Sequence, residues 1–310
     1  MEIVRIQQPS PEEYAAAAEV CEIRWPFQKP YHTAERFAGF ARMGVELIAA
    51  RENGRFQAVC FAAPCRWVPG GGDIDAMFLF QLATRPETRN VGGLLMMRIM
   101  GSYGAVAAQG VTEEAIQMYK ALRWKHYNEV WRGIHPLRAK PFYEDYHERV
   151  HKPWKKVLLR GGLTVFEIVS VPANAVLSTG SHVRRMNGVE GLAAFPSLKL
   201  SAIDSYWPVL TTDNLRVVNA GGIGRLLVSY AEGWGHVGEH AAIWKAMRNK
   251  GAKFVELLIS SEAARAKALQ LGYVPVDMPL WYLDRNGSIA KIIEALRSDQ
   301  FSFLYTDKSI

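Results

Sequence analysis

The chain has 310 residues, 49% of them apolar, enough to bury one large core or two ordinary ones; two domains of near-equal size, 1–155 and 156–310, are the expected division. The three cysteines, Cys21, Cys60 and Cys65, have no metal-ligand spacing, and their odd count argues against a disulfide framework and for a reducing, cytoplasmic setting. The first residues show no signal-peptide pattern, no apolar run reaches the ~18 residues of a membrane span, and the formal charge of +7 allows an anionic ligand, nucleic acid or an acidic carrier.

Glu2 to Gln7 alternates like a strand. Ser10-Pro11-Glu12-Glu13 then reads as a helix N-terminus: an N-cap hydroxyl, proline where its missing N–H costs nothing, and acids in the first turn. That helix runs to about Ile23, and a second is expected over Thr33–Met43. Val45–Arg51 and Arg55–Cys65 are strands joined by Asn53-Gly54, a pair suited to the left-handed backbone of a hairpin turn. After Gly70-Gly71-Gly72, Ile74–Thr84 is an apolar strand. Asn90–Ser102 follows as a helix, Ala105–Ala108 as a short strand, Thr112–Trp124 as a helix and Glu129–Leu137 as a strand.

The Arg138–Gly162 segment, rich in proline, lysine and aromatics, reads as a junction. Beyond it Leu163–Val171, Asn214–Asn219 and Gly224–Ala231 read as strands. Glu239–Lys250 is a helix closed by Gly251, Phe254–Ile259 a strand, Glu262–Leu271 a helix closed by Gly272, and Trp281–Leu283 a strand. The second half thus repeats the order of the first loosely.

The segment with the most chemical content is Arg89-Asn90-Val91-Gly92-Gly93-Leu94, between an apolar strand and a Leu/Met-rich helix. Glycines let the backbone approach a ligand closely, and the free amides of a helix N-terminus favour negative charge. A tight turn before a buried helix explains the glycines too, but not the basic residue three positions before Gly92. Farther on, Thr112, Ala115, Met118, Tyr119, Leu122 and Trp124 are spaced as in N-x-x-A-x-x-L-Y-x-K-L-G-F, with Thr112 for the Asn and Arg123 for the Gly.

In these two motifs the first half resembles the GNAT superfamily of acyl-CoA-dependent N-acyltransferases. The resemblance implies an α/β fold of two GNAT-like domains, each a mixed central sheet flanked by helices. It implies acetyl-CoA or another acyl-CoA as co-substrate, with its diphosphate on Arg89, Asn90, Val91, Gly92, Gly93 and Leu94, and Thr112 also at the cofactor site. It implies that the pantetheine arm pairs with a splayed strand at Leu82, Ala83 and Thr84. Tyr119 would protonate the departing thiolate, although aromatic residues at helical spacing usually pack in a core. The acceptor would be a small-molecule amine or a carrier-bound substrate, with Asp73, Asp75, Glu46, His32 or water taking its proton. Trp25-Pro26-Phe27, Tyr31 and His32 would border the acceptor pocket.

In the second half Ser261-x-x-Ala264 and Leu271-Gly272-Tyr273 echo the second motif, but Ala268 stands in the tyrosine's place. Gly235-x-x-Gly238 echoes the phosphate turn, with His240 where a small residue is usual. The second copy therefore reads as degenerate. Three other readings share the resemblance: a non-catalytic acyl-CoA binder, a GNAT-type decarboxylase and a tRNA-dependent aminoacyltransferase of tandem GNAT fold. The scattered basic residues form no aromatic-basic ladder and argue against nucleic acid. Two metal-like motifs, His147-Glu148-Arg149-Val150-His151 and His236-Val237-Gly238-Glu239-His240, read as chance matches. Pro153 cuts off the first, and Gly238 interrupts the second. No metal is expected, and nothing in the residues sets the oligomeric state.

Overall fold

The computed structural model describes residues 1–25, 34, 37, 45–64, 75–88, 90–109, 111–146, 152–186, 209–220, 223–227, 234–259 and 261–297. The expected helix at Thr33–Met43 and the glycine turn at 70–72 lie wholly or largely outside them.

In the first half β1 (Glu2–Ile6) leads to α1 (Pro11–Arg24), β2 (Glu46–Glu52), β3 (Arg55–Pro64) and β4 (Met77–Thr84). Then come α2 (Val91–Ser102), β5 (Ala105–Ala108), α3 (Glu113–Ala121), β6 (Lys125–Tyr127) and β7 (Trp131–Pro136). The local signals act as expected. Ser10 Oγ accepts from Glu13 N at 3.3 Å while Glu13 accepts from Ser10 N at 2.9 Å, a reciprocal cap that starts α1. Asn53 and Gly54, at φ 50° and 78°, turn β2 into β3.

The second half holds α4 (Ala139–Tyr146), α5 (Pro153–Leu177), β8 (Arg184–Met186), β9 (Val209–Thr211), β10 (Arg216–Ala220) and β11 (Ile223–Leu227). It continues with α6 (Val237–Asn249), β12 (Phe254–Ile259), α7 (Glu262–Gln270), β13 (Val274–Asp277), β14 (Leu280–Asp284) and α8 (Ser288–Arg297). The expected strand over Leu163–Val171 is instead the middle of α5. Its β-branched run suggests a strand, but Leu159, Leu163, Phe166 and Ser170 recur at helical spacing on the side turned to the protein. Among the described residues, α5 is also the one helix long and apolar enough to cross a membrane, by length and composition only.

The strands form two seven-stranded sheets, ordered β1-β2-β3-β4-β5-β14-β6 and β13-β7-β12-β11-β10-β9-β8. The contiguous halves expected from the sequence thus exchange one strand each. β14, from the end of the chain, enters the first sheet between β5 and β6, with Trp281 opposite Ala108 on one side and His126 on the other. β7, from the first half, enters the second sheet between β12 and β13. Gly133 makes room for this: a Cβ there would meet Ile259 Cδ1 at 3.0 Å. A shared core of Phe78, Ala107, Tyr127, Leu258, Leu280 and Ile289 closes the space between the halves.

An ion pair locks the exchanged strand β7. Arg132 Nε donates to Glu256 Oε2 of β12 at 2.6 Å, and the Glu256 side chain is fully buried. Removing one member of a buried pair leaves the other charge uncompensated. Arg132→Ala is therefore expected to cost about 3–5 kcal/mol in urea unfolding, with both sheets lost in one transition. A loss under about 1 kcal/mol would show that the pair does not hold the exchange.

Candidate active site

In the first sheet α1 covers one face, while α2 and α3 cover the other. The site lies on the α2 and α3 side, where β4 departs from regular geometry. Gln81 has φ 53°, rare for a residue with a side chain, and pairing with β3 slips there. Phe80 faces Phe61 and Ala83 faces Val59, so Gln81 and Leu82 together oppose Cys60. Such a bulge bends its strand and increases its twist. On its other side β4 runs parallel to β5 from Met77 to Leu79, and there the pairing ends. Ala108 is also the last residue of β5, so among the described residues no strand pairs with Leu82, Ala83 and Thr84 on this side, which leaves a gap beyond β5 with backbone groups of β4 along its edge.

At the end of this strand stands the N-terminus of α2. Asn90 precedes the helix at φ 64° and gives no side-chain cap, and the first turn holds no acid. The first backbone bond of the helix is Leu94 N to Asn90 O, 3.1 Å, so the amides of Val91, Gly92 and Gly93 lie before that ladder begins. Three other helices carry a side-chain cap, α1 from Ser10, α3 from Thr112 and α7 from Ser261. Gly92 lets the helix approach β4, since a Cβ there would meet Thr84 Cγ2 at 3.1 Å; at Gly93 a Cβ would meet nothing within 4 Å. Leu94 points outward, 40% exposed. Arg89 lies outside the described residues. Thr112 is apart from this turn in role: its hydroxyl accepts from Ala115 N at 3.4 Å as the cap of α3.

Tyr119, on α3, is 2% exposed and stacks on Trp124 at 4.3 Å between ring centroids, nearly parallel at 7°. Trp281 of the exchanged strand lies 6.1 Å away on the same cluster, and its indole Nε1 is buried without a hydrogen-bond partner. Burial, and then the field of Cys60, push the Tyr119 phenol well above its ordinary pKa, so it keeps its proton at neutral pH. Tyr119 shares one buried cluster with Cys60, the residue opposite the bulge, and with Leu79 and Ala108, the last paired residues of β4 and β5.

The expected bases fare differently. Burial would raise the Glu46 carboxyl, but hydrogen bonds from Arg5 and Tyr103 outweigh it and hold it below the usual range. Asp75 takes Asn286 Nδ2 at 3.0 Å, and Asp73 and His32 lie outside the described residues. Arg85, not singled out in the sequence, is 2% exposed. It bonds to Phe56 O at 2.8 Å and Glu19 at 2.9 Å, tying the end of β4 to α1.

The matching turn of the second half is filled. α6 begins Val237-Gly238-Glu239 where α2 begins Val91-Gly92-Gly93. Glu239 is 3% exposed and folds back over its own helix N-terminus. It accepts from His236 N and Asn214 N, both at 3.0 Å, and from Asn214 Nδ2 at 3.1 Å. Burial works against this charge, yet the hydrogen bonds from Asn214, His236 and Thr212 bring its pKa down to about 2. A carboxylate thus already lies at this helix N-terminus, held by the amides of His236 and Asn214. Gly238 is crowded as well: a Cβ there would meet Leu177 O at 2.8 Å.

His240 faces the core rather than a metal. Its Nε2 bonds to Trp234 O at 2.8 Å and its Nδ1 to Tyr273 Oη at 3.0 Å. His236 is the residue before the helix. His147 and His151 lie outside the described residues. Burial lowers both His240 and His135 to about 4.

These groups set an acid response. The folded histidines resist protons that the unfolded chain takes up near pH 6.5, so stability falls as pH drops from there towards 4. The depressed Glu239 contributes fully above its ordinary 4.5, and that contribution is lost as pH falls towards 2. Tm is expected to fall through both windows, and Glu239→Gln to flatten the lower one. An unchanged slope below about pH 4.5 in that variant would contradict the assignment.

No protein-family model matches the chain, and no curated protein matches it. Among solved structures, a candidate acetyltransferase from Pyrococcus horikoshii aligns over 91% of this chain and 89% of its own, at 8% identity and a TM-score of 0.56. That likeness shows a shared fold through both halves. The chain has the fold of that protein. Weaker likenesses are to a tandem GNAT protein of the clavulanic acid biosynthesis pathway and to a GCN5-related N-acetyltransferase from Kribbella flavida. The former aligns over 92% of this chain and 99% of its own at 9% identity and a TM-score of 0.49. The latter aligns over 90% and 70% at 12% and 0.46. Within this fold the bulged β4, its gap from β5 and the glycine turn of α2 fall together in the first half.

Proposed function

We propose that the chain is an acyl-CoA-dependent N-acyltransferase with one working site, in its first GNAT-like half. The observation that carries this reading is a set of neighbours: the open edge of β4, the uncapped N-terminus of α2, and a protonated tyrosine in one cluster with the last paired residues of β4 and β5.

The residues present fit a CoA diphosphate. The turn has glycines at its second and third helical positions, open space at Gly93 and no acid in the first turn. The amides of Val91, Gly92 and Gly93 hold the anion, helped by the partial positive charge of the helix end. Acyl-CoA supplies the activated thioester. The edge of β4 at Leu82, Ala83 and Thr84 holds the pantetheine amides as an added strand would be held. Backbone donors of the gap polarise the carbonyl, and fixed orientation lowers the entropic part of the barrier. Tyr119 holds a proton at Oη and gives it to the departing sulfur. Glu46 is engaged with Arg5 and Tyr103, so the amine proton passes to water.

Acetyl is the acyl group we favour, and a primary amine the acceptor, either free or on a carrier. Two features support turnover over mere acyl-CoA binding: the tyrosine of that cluster, and the packing that holds it in one orientation. Thiol release from acetyl-CoA in the presence of a panel of primary amines tests the reading. Amine-dependent release is the expected result; binding of acetyl-CoA with no release on any amine would favour the non-catalytic reading.

A further inference from the structure

Between the second part of α5 and the last turns of α6 lies a cleft of about 550 Å³, a volume suited to a small ligand. Its lining shares no residue with the site in the first half. The floor is apolar: Leu137 and Trp244 line it and are 5% and 4% exposed. The half-buried amide of Asn174 adds a neutral polar group from α5. Three cations line the same cleft, Arg138, Lys245 and Arg248. Lys245 and Arg248 are three residues apart on α6 and so neighbours on one face. Arg138 arrives from the end of the exchanged strand β7. The amides of Leu137 and Arg138 both donate to Lys253 O, at 2.9 and 3.2 Å, just past the turn that ends α6.

Little in the protein answers this charge. Among the described residues the lining holds no acid. α5 has one acid, Glu167, which accepts from Ala139 N at 2.6 Å and pairs with Arg248. α6 has one, Glu239, at its opposite end. Among the described residues the side chains of Arg138 and Lys245 make no hydrogen bond or ion pair. One of the three charges is therefore cancelled and two remain, above an apolar floor. A single carboxylate leaves one of them unanswered; a dianion answers both. A phosphate monoester carries a charge of about −1.5 to −2 at neutral pH, on three strong acceptor oxygens. A guanidinium takes two such oxygens in parallel, and an ammonium takes a third as a point charge. With Lys245 and Arg248 adjacent, the positive charge is gathered in one place, which suits one compact dianion better than the two separated carboxylates of a diacid.

We propose that this cleft binds a small phosphate monoester, with its phosphoryl group on Arg138 and Lys245 and its organic part on the floor of Leu137 and Trp244. This does not rest on the acyltransferase reading. The test is calorimetric titration of the full chain with phenyl phosphate, inorganic phosphate and succinate. Phenyl phosphate is expected to bind tightest, because its ring reaches the apolar floor, and succinate weakest. Arg138→Ala with Lys245→Ala, both at exposed positions, should weaken phenyl phosphate binding at least about tenfold, with an unchanged circular dichroism spectrum. Ala175→Trp, at an exposed position of the lining, fills the cleft without changing its charge and should weaken binding as well. Absence of phenyl phosphate binding, or undiminished binding in either variant, would overturn the proposal; in the second case the probe sits elsewhere on the chain. Phenyl phosphate binding no tighter than inorganic phosphate would remove the apolar floor from the site. Succinate binding as tight as phenyl phosphate would overturn the choice of a phosphoryl group.

Discussion

Gly93→Glu is expected to weaken acyl-CoA binding by about 10²-fold or more and to leave the fold intact. The second half has made this change already: Glu239 occupies the position of Gly93 and turns its carboxylate onto the amides of Asn214 and of His236, the residue before its helix. At position 93 a Cβ meets nothing within 4 Å, so a glutamate can be accommodated without displacing the core. Its charge then sits where the diphosphate charge must sit. Two like charges about 4–5 Å apart, at an effective dielectric near 20, repel by about 3–4 kcal/mol, which is about 10²-fold or more in affinity. Gly93→Gln has nearly the same bulk and no charge, and should bind far better than Gly93→Glu. Calorimetric titration with acetyl-CoA separates the two. Equal affinity in Gly93→Glu and the parent chain would remove the α2 turn from the site.

Tyr119→Phe is expected to lower kcat by about 10²-fold while the KM for acyl-CoA stays nearly constant. The ring is held by Trp124 and Trp281, and phenylalanine keeps those contacts. Only the hydroxyl goes, and with it the proton for the departing thiolate. Burial raises the pKa of this phenol, so the parent enzyme should show no loss of rate from tyrosine ionisation up to about pH 10. Full activity in Tyr119→Phe, measured by thiol release, would leave the residue as core packing alone.

Much of the fold is legible from local chemistry. The Ser10–Glu13 cap, the Asn53-Gly54 turn, and Gly251 and Gly272 at φ 81° and 85° each act within a few residues of themselves. The glycine turn of α2 belongs to this class, which is why the core of the candidate site is legible in the amino-acid sequence. The exchange of β7 and β14 is not. Both are short apolar strands, and nothing local in Trp131–Pro136 or Leu280–Asp284 says which sheet will take them; that choice is made by long-range pairing. The helix α5 is hidden for a related reason. Apolar residues on both of its sides erase the contrast that marks an amphipathic helix, and the valines favour a strand reading. The bulge at Gln81 carries no glycine to announce its left-handed backbone. Glu239 is visible, but as part of a metal-like H-x-x-E-H; as the third residue of a helix it is better read as a cap.

The two halves differ, on this account, in one respect above all: the first keeps the turn proposed to bind the diphosphate, and in the second a carboxylate lies at the helix N-terminus. The stoichiometry of acetyl-CoA binding to the intact chain, measured by calorimetry, tests this most directly. One equivalent per chain is predicted, lost in Gly93→Glu. Two equivalents, or one that persists in Gly93→Glu and disappears on substitution of Gly238, would contradict it.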